Sequence, residues 1–200
     1  MNHKTIDKII RIVRRSGVIR PKDMDAHGIP RKYIHLLHHE GILNRVGHGL
    51  YVLEDASPSE NRTMAEVCKR VPAGVVCLLS ALQFHRLTTQ SPHEIWLAIN
   101  HKSRHPKEPM LPIRIVRFSG QALTAGIERH SVEGVSVNVF SAAKTVVDCF
   151  KYRNKIGLDV AIEALRDCQR SRKCTLNELW EYAKICRVAK VMKPYLESLL

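Results

Sequence analysis

Residues 28–53 read Gly28-Ile29-Pro30-Arg31-Lys32-Tyr33-Ile34-His35-Leu36-Leu37-His38-His39-Glu40-Gly41-Ile42-Leu43-Asn44-Arg45-Val46-Gly47-His48-Gly49-Leu50-Tyr51-Val52-Leu53. Ile29-Pro30 opens a helix that runs to Glu40 and is stopped by Gly41, with Tyr33, Ile34 and Leu37 on its apolar side and Leu36 as an extra apolar residue. Residues 42–46 and 50–53 read as two strands. Gly47-His48-Gly49 joins them, with glycines where a tight turn needs positive φ.

Working outward, residues 5–15 place Ile6, Ile9, Ile10 and Val13 at i, i+3, i+4 and i+7, one face of a helix. Ser16-Gly17 stops it, and residues 18–20 form a short extended piece. Residues 21–27 make a short helix with Pro21 at its start and Gly28 just past its end. The order is helix, short strand, helix, tight turn, helix, hairpin, which is a winged helix-turn-helix. Its mechanics suit DNA: the third helix lies in the major groove and the hairpin reaches a neighbouring backbone or minor groove. The candidate DNA-binding residues are Lys22, Arg31, Lys32, His35, His38, Arg45 and His48. Arg and Lys neutralise phosphates, and Arg also grips a guanine edge. Cations at a helix start oppose the macrodipole, and this mild penalty at Arg31 and Lys32 favours a role in binding over chance.

A break falls near Asp55, giving an N-terminal domain of residues 1–55 and a C-terminal domain of residues 56–200. Ser57-Pro58-Ser59-Glu60 reads as a helix cap that begins the second segment. Helices are expected over 59–70 and, strongly apolar, over 74–86. Strands are expected over 94–99, 113–118 and 135–140. Ser141 caps a helix whose buried face is Ala143, Val146, Val147 and Phe150. Helices near 159–170 and 176–187 follow, the second opened by a Thr175–Glu178 capping box, and a last helix runs through Tyr195, Leu196 and Leu199. The fold class is therefore α+β: a winged helix, then a mixed α/β domain with a small sheet and a helical tail. Trp96 and Trp180 suit core or half-buried positions on a strand and a helix.

Charge narrows the partner. The 200 residues carry 32 Lys and Arg against 19 Asp and Glu, a formal +13, which calls for a polyanion or an acidic protein. Residues 1–55 hold only +4 of this, together with six of the eleven histidines, while +9 lies in 56–200. A neutral imidazole neutralises no phosphate, so the histidines of the third helix and wing add charge only where they are protonated. The C-terminal excess gathers on the 101–107 loop, at Arg114, Arg117 and Arg129, and along the last helices. No apolar run approaches the length of a membrane span, and the first residues lack an apolar secretory core, so a cytoplasmic protein without a membrane partner is expected. The cysteines at 68, 77, 149, 168, 174 and 186 form no CxxC pair and read as free, mostly buried thiols.

Catalysis finds no support. Glu94, Lys144 and Asp148 do not form the strand-borne carboxylate and Lys set of a metal-dependent nuclease. Ser80, Ser119 and Ser141 lack an elbow motif, and no glycine-rich phosphate loop occurs. His35, His38 and His39 share neighbouring faces of one helix without completing a ligand set. No enzymatic activity, catalytic residue, metal or cofactor is expected.

Gly17-Val18-Ile19-Arg20, Gly28-Ile29-Pro30-Arg31 and the run from Glu40 to Tyr51 resemble the N-terminal winged helix of AbiEi-type antitoxins, from type IV toxin–antitoxin systems described as abortive-infection phage defence. Ser80-Ala81-Leu82, Glu94-Ile95-Trp96-Leu97-Ala98, Ala143-Lys144-Thr145-Val146-Val147-Asp148 and the Leu-rich tail are similar, in order, to that family's C-terminal domain. The resemblance implies a repressor that binds inverted repeats in its own promoter and counters a nucleotidyltransferase-like toxin, with which it need not form a stable complex. It departs from relatives where His35, His38, His39 and His48 stand at positions that are often Arg. Candidate residues of the antitoxin domain are Lys144, Thr145, Asp148, Lys102, Arg104 and Lys107. For Lys144 and Asp148 two readings stand: a family-specific surface, or a polar pair holding the helix to the sheet. A second functional reading is a protein-interaction module whose C-terminal domain binds a toxin or acidic partner directly, with DNA binding secondary. A monomer is expected, since no zipper-like helix occurs.

Overall fold

The computed structural model describes residues 3–47, 49–55, 61–106 and 112–198, the side chains of 3 and 4 excepted. The chain divides into two compact units, Met1–Pro72 with Ser131–Val137, and Ala73–His130 with Asn138–Leu200. The Ser57–Glu60 cap lies outside the described residues.

In the first unit, α1 (His3–Ser16) is followed by a 3-10 helix (Pro21–His27), α2 (Lys32–His39) and the antiparallel pair β1 (Leu43–Gly47) and β2 (Leu50–Leu53). Ile19 bridges Tyr51 of β2 by two backbone hydrogen bonds of 2.9 Å, which adds the short extended piece to the hairpin. One core joins Ile9 and Val13 of α1 to Ile19, Met24, Ile34, Leu37, Leu43 and Tyr51. That set is the i, i+4 stripe of α1 meeting the inward residues of each later element, as a helix-turn-helix needs. α3 (Arg62–Arg70) closes the unit. Its Lys69 Nζ lies 2.8 Å from Asp23 on the 3-10 helix.

The second unit carries β3 (Val75–Val76), β4 (Ile95–Asn100) and β5 (Ile113–Phe118) of a five-stranded mixed sheet in the order β5-β4-β3-β7-β6, with parts of β6 (Ile127–Val132) and β7 (Val135–Phe140), whose connecting stretch Ser131–Val137 belongs to the first unit. β3 runs antiparallel to β4 and parallel to β7, and β4 runs parallel to β5. Helices α4 (Leu78–Phe84), α5 (Gln121–Thr124), α6 (Ala142–Lys151), α7 (Arg153–Ile156), α8 (Leu158–Arg170), α9 (Leu176–Ile185) and α10 (Ala189–Glu197) complete it. α6 packs on α4, α8 and α9 and is the axis of the larger core. The Ser141 hydroxyl accepts from the Lys144 amide, and Thr175 and Glu178 form the expected capping box. This is an α+β architecture of winged helix, mixed sheet and helical tail.

Two expectations need correction here. Residues 74–86 are not one helix. Val75 and Val76 pair with Ala98, Leu97 and Val139 at the centre of the sheet, Cys77 stays extended (φ −141°, ψ 173°), and the helix starts at Leu78. A short apolar run has no period that separates a buried strand from a buried helix, and the β-branched pair is settled by its neighbours. The cysteines are also not all free. Cys168 at the end of α8 and Cys174 ahead of α9 are disulfide-bonded, with Cα atoms 5.8 Å apart, while Cys68, Cys77, Cys149 and Cys186 are free and buried. β6, largely exposed and without apolar alternation, gave no strand signal.

Candidate nucleic-acid interface

The helix-turn-helix is set by local backbone chemistry. Asp23 accepts the Arg20 amide at 2.8 Å and caps the 3-10 helix that Pro21 begins. Burial raises the Asp23 carboxyl. The hydrogen bond from Lys69, the Arg20 amide and both cations more than offset this and hold it below the ordinary aspartate value. Gly28 ends the helix in the left-handed region (φ +66°), where its amide bonds the Asp25 carbonyl, and Tyr33 and Ile34 begin α2 by bonding Pro30 and Arg31.

α2 buries Ile34 and Leu37 and turns Lys32, His35, Leu36, His38 and His39 outward. Leu36, the extra apolar residue of the sequence pattern, is 41% exposed on this face. Lys22 is exposed on the 3-10 helix, Arg31 just before α2, and Arg45 on β1. These six candidates therefore stand outward on the winged helix, and His48 lies outside the described residues. A major-groove reader needs such a face: a polar helix flank, cations near its start and a hairpin beside it.

The structure adds partners that periodicity could not show. Arg31 holds the Asp25 carboxylate with Nε (2.9 Å to Oδ1, 3.1 Å to Oδ2) and with its terminal NH2 group. The pairing lowers the Asp25 carboxyl below its ordinary value, with the Arg31 hydrogen bond as the main cause. Arg31 is thus less available to phosphate than its position alone implies. Tyr51, 2% exposed, sets its ring edge-on to His35 and His38, with centroids 5.9 and 5.5 Å away. Its hydroxyl lies 3.3 Å from His35 Nδ1, and His38 Nδ1 donates to the Leu43 carbonyl at 2.8 Å. Both imidazoles are therefore positioned by the hairpin rather than left loose. The sequence reading missed Asp25 and Tyr51, and six- and sixteen-residue separations leave no local signal for either pair.

In the second unit, Lys144, Thr145 and Asp148 are fully buried, which overturns their reading as a surface. Lys144 Nζ donates to Asp148 Oδ2 at 2.5 Å and sits 4.1 Å from the centroid of the Phe140 ring and 5.1 Å from that of Phe118. Cys186 Sγ donates to Asp148 Oδ1 at 3.4 Å, and the Thr145 hydroxyl donates to the Phe140 carbonyl at 3.1 Å. Burial drives the Asp148 carboxyl upward against the opposing pull of Lys144, and it pushes the Cys186 thiol up to about 11. The polar trio therefore ties α6 to β7 and to the end of α9. α6 is covered on all sides from Ala142 to Phe150, a wider burial than the one apolar face expected.

Lys102 and Arg104 are exposed on the loop after β4, and Lys107 lies outside the described residues. Arg117 donates to the carbonyls of Asn100, His101 and Ser103, so this cation shapes the loop. Arg114 pairs with Glu94 at 3.1 Å and covers the Trp96 ring. Part of the C-terminal basic excess is therefore spent inside the unit. Among the described residues, no three His, Cys, Asp or Glu side chains gather where they could hold a metal ion, and no helix is long and apolar enough to cross a membrane.

Fold and face together define a winged helix-turn-helix protein carrying a mixed α/β unit. Residues 7–53 match the family described as "Transcriptional regulator, AbiEi antitoxin". That match runs from α1 through β2, so the AbiEi resemblance is shown for the winged helix. The chain is also similar to the crystal structure of the RV2827C protein from Mycobacterium tuberculosis, with a TM-score of 0.60 and 14% identity over 89% of this chain and 70% of that one. At that identity the likeness is one of fold. No curated protein matches the chain.

Proposed function

We propose that the protein is the antitoxin and autorepressor of a type IV toxin–antitoxin operon. The observation that carries this is the exposed polar face of α2 beside the β1–β2 hairpin, within the segment that matches AbiEi transcriptional regulators. Residues 1–55 form the DNA-binding domain and seat α2 in the major groove of promoter inverted repeats, one monomer per half-site. Lys32 and Arg31 meet phosphates or a guanine edge, His35 and His38 face the groove, and Lys22, Arg45 and His48 contact the flanking backbone. Residues 56–200 form the antitoxin domain, which counters a nucleotidyltransferase-like toxin. There the exposed cations Lys102 and Arg104, with Lys107, are candidates for that work, while Lys144, Thr145 and Asp148 support the fold that presents them. No chemistry of its own is assigned to the chain.

The test is fluorescence anisotropy of the full chain on its own upstream region, over a salt series. Tight, salt-sensitive binding that weakens at least tenfold in Arg31→Ala/Lys32→Ala is expected. Unchanged affinity in that variant removes the groove assignment. A stable stoichiometric complex with the neighbouring gene's product would instead favour direct binding of the toxin.

A further inference from the structure

One side of α1 carries an arrangement that the DNA-reading face does not use. Lys8, Arg11, Ile12 and Arg15 follow one another at i, i+3, i+4 and i+7 and therefore lie along one side of the helix. With Ser16, His27, Ser131 and Gly134, all of the first unit, they line a cleft of about 690 Å³. That volume falls in the range of small-molecule sites, roughly 300–1,000 Å³.

Its lining is chemically one-sided. Three permanent cations, an imidazole and two hydroxyls converge on it, and no carboxylate does. Three other clefts hold acids beside their cations: Asp159, Glu163 and Asp167 beside Arg166 and Arg170; Glu133 beside Arg14, Arg15 and Arg62; Glu54 and Asp55 beside Arg14. Arg15 also lines the neighbouring cleft that holds Glu133, without an ion pair to it. Lys8 Nζ donates to the His27 carbonyl at 3.3 Å and Arg11 Nε to the Asp7 carbonyl at 3.3 Å, and neither these two nor Arg15 is ion-paired with a described carboxylate. Like charges held along one helix face repel one another, and an anion in the cleft relieves that repulsion. Half-buried Ile12 supplies an apolar wall beside them.

We propose that this cleft binds a compact phosphate-bearing ligand of nucleoside-phosphate size, so that the winged-helix unit carries a small-molecule site besides its DNA-reading face. Arg11 and Arg15 grip the phosphates through their N–H groups, Lys8 adds a third cation, and Ser16 and Ser131 donate hydroxyl hydrogen bonds. The site is an open groove bordered by α1, the end of the 3-10 helix and the β6–β7 turn.

Isothermal titration calorimetry of the full chain with ATP, and separately with inorganic pyrophosphate, tests this. Saturable one-to-one binding is expected, weakened at least tenfold in Arg11→Gln/Arg15→Gln and changed less than twofold in Lys184→Gln/Lys190→Gln. The second variant removes the same charge from exposed positions of the other unit. All four side chains are exposed, and matching circular dichroism and thermal melts confirm that each variant folds. Absence of binding by the unaltered chain, or equal weakening in both variants, overturns the proposal. So does a result in which neither small anion binds while Arg11→Gln/Arg15→Gln weakens binding to a duplex of unrelated sequence; the cleft then serves the DNA backbone. Loss of operator binding in Arg31→Ala/Lys32→Ala with ATP binding intact separates this site from the reading above.

Discussion

Arg31, the residue just before α2, is held in a two-pronged grip by Asp25 of the preceding 3-10 helix. Both groups are solvent-exposed, so the pair adds little to stability, but it places a carboxylate beside a cation that faces the proposed groove. Asp25→Ala removes that negative charge and frees the guanidinium. Operator affinity is expected to rise on the order of threefold to tenfold, with thermal stability nearly unchanged. Anisotropy titrations at fixed salt check this, and an unchanged or weaker affinity would show that Arg31 does not contact DNA.

Lys144 and Asp148 satisfy one another inside the larger core, where a lone charge has no solvent. Lys144→Met or Asp148→Leu alone leaves one buried group unpaired and is expected to cost about 3–5 kcal/mol. The double variant removes both charges together and should recover most of that loss. Urea unfolding of the four proteins closes the cycle. Additive losses in the double variant would contradict the coupling.

Glu66 of α3 is 8% exposed, and its carboxyl is raised above the ordinary value of 4.5, first by burial and further by Glu133, against the pull of Arg62. A raised acid favours the protonated fold. Its contribution is full below about pH 4.5 and disappears as pH rises through the raised value. Relative to Glu66→Gln, the unaltered protein should therefore gain stability as pH falls from 7 to 4, and the variant should equal or exceed it at neutral pH. Denaturant midpoints at several pH values measure the difference, and parallel pH profiles would count against this account.

Gly17 and Gly28 both sit in the left-handed region, at φ +62° and +66°, yet their surroundings differ. A Cβ on Gly28 meets nothing within 4 Å, so Gly28→Ala should cost only the backbone penalty of about 1–2 kcal/mol. A Cβ on Gly17 would fall 1.8 Å from the Glu133 carbonyl oxygen, and that neighbour is backbone. Gly17→Ala is expected to destabilise clearly more than Gly28→Ala in thermal melts, and equal losses would show that the close approach yields freely.

The elements whose signals are local were legible from the chain. The i, i+4 stripe of α1, Pro21 and Gly28 around the 3-10 helix, the glycine turn between β1 and β2, and the Ser141 and Thr175 caps all express forces acting within a few residues. They were enough to name the winged helix, its outward cations and the α+β class. The sequence also supplied Lys144 and Asp148 as an i, i+4 pair, but spacing reports only that two side chains are neighbours. Whether that pair faces water is decided by the strands and helices folded around α6. Tertiary structure alone turned Val75-Val76 into the central strand, joined Cys168 to Cys174, and brought Asp25 to Arg31 and Tyr51 to His35 and His38. The physical reason is common to all four. Periodicity and capping are written in each segment's own residues, whereas burial and the choice of partner depend on groups the chain brings near only once it has folded.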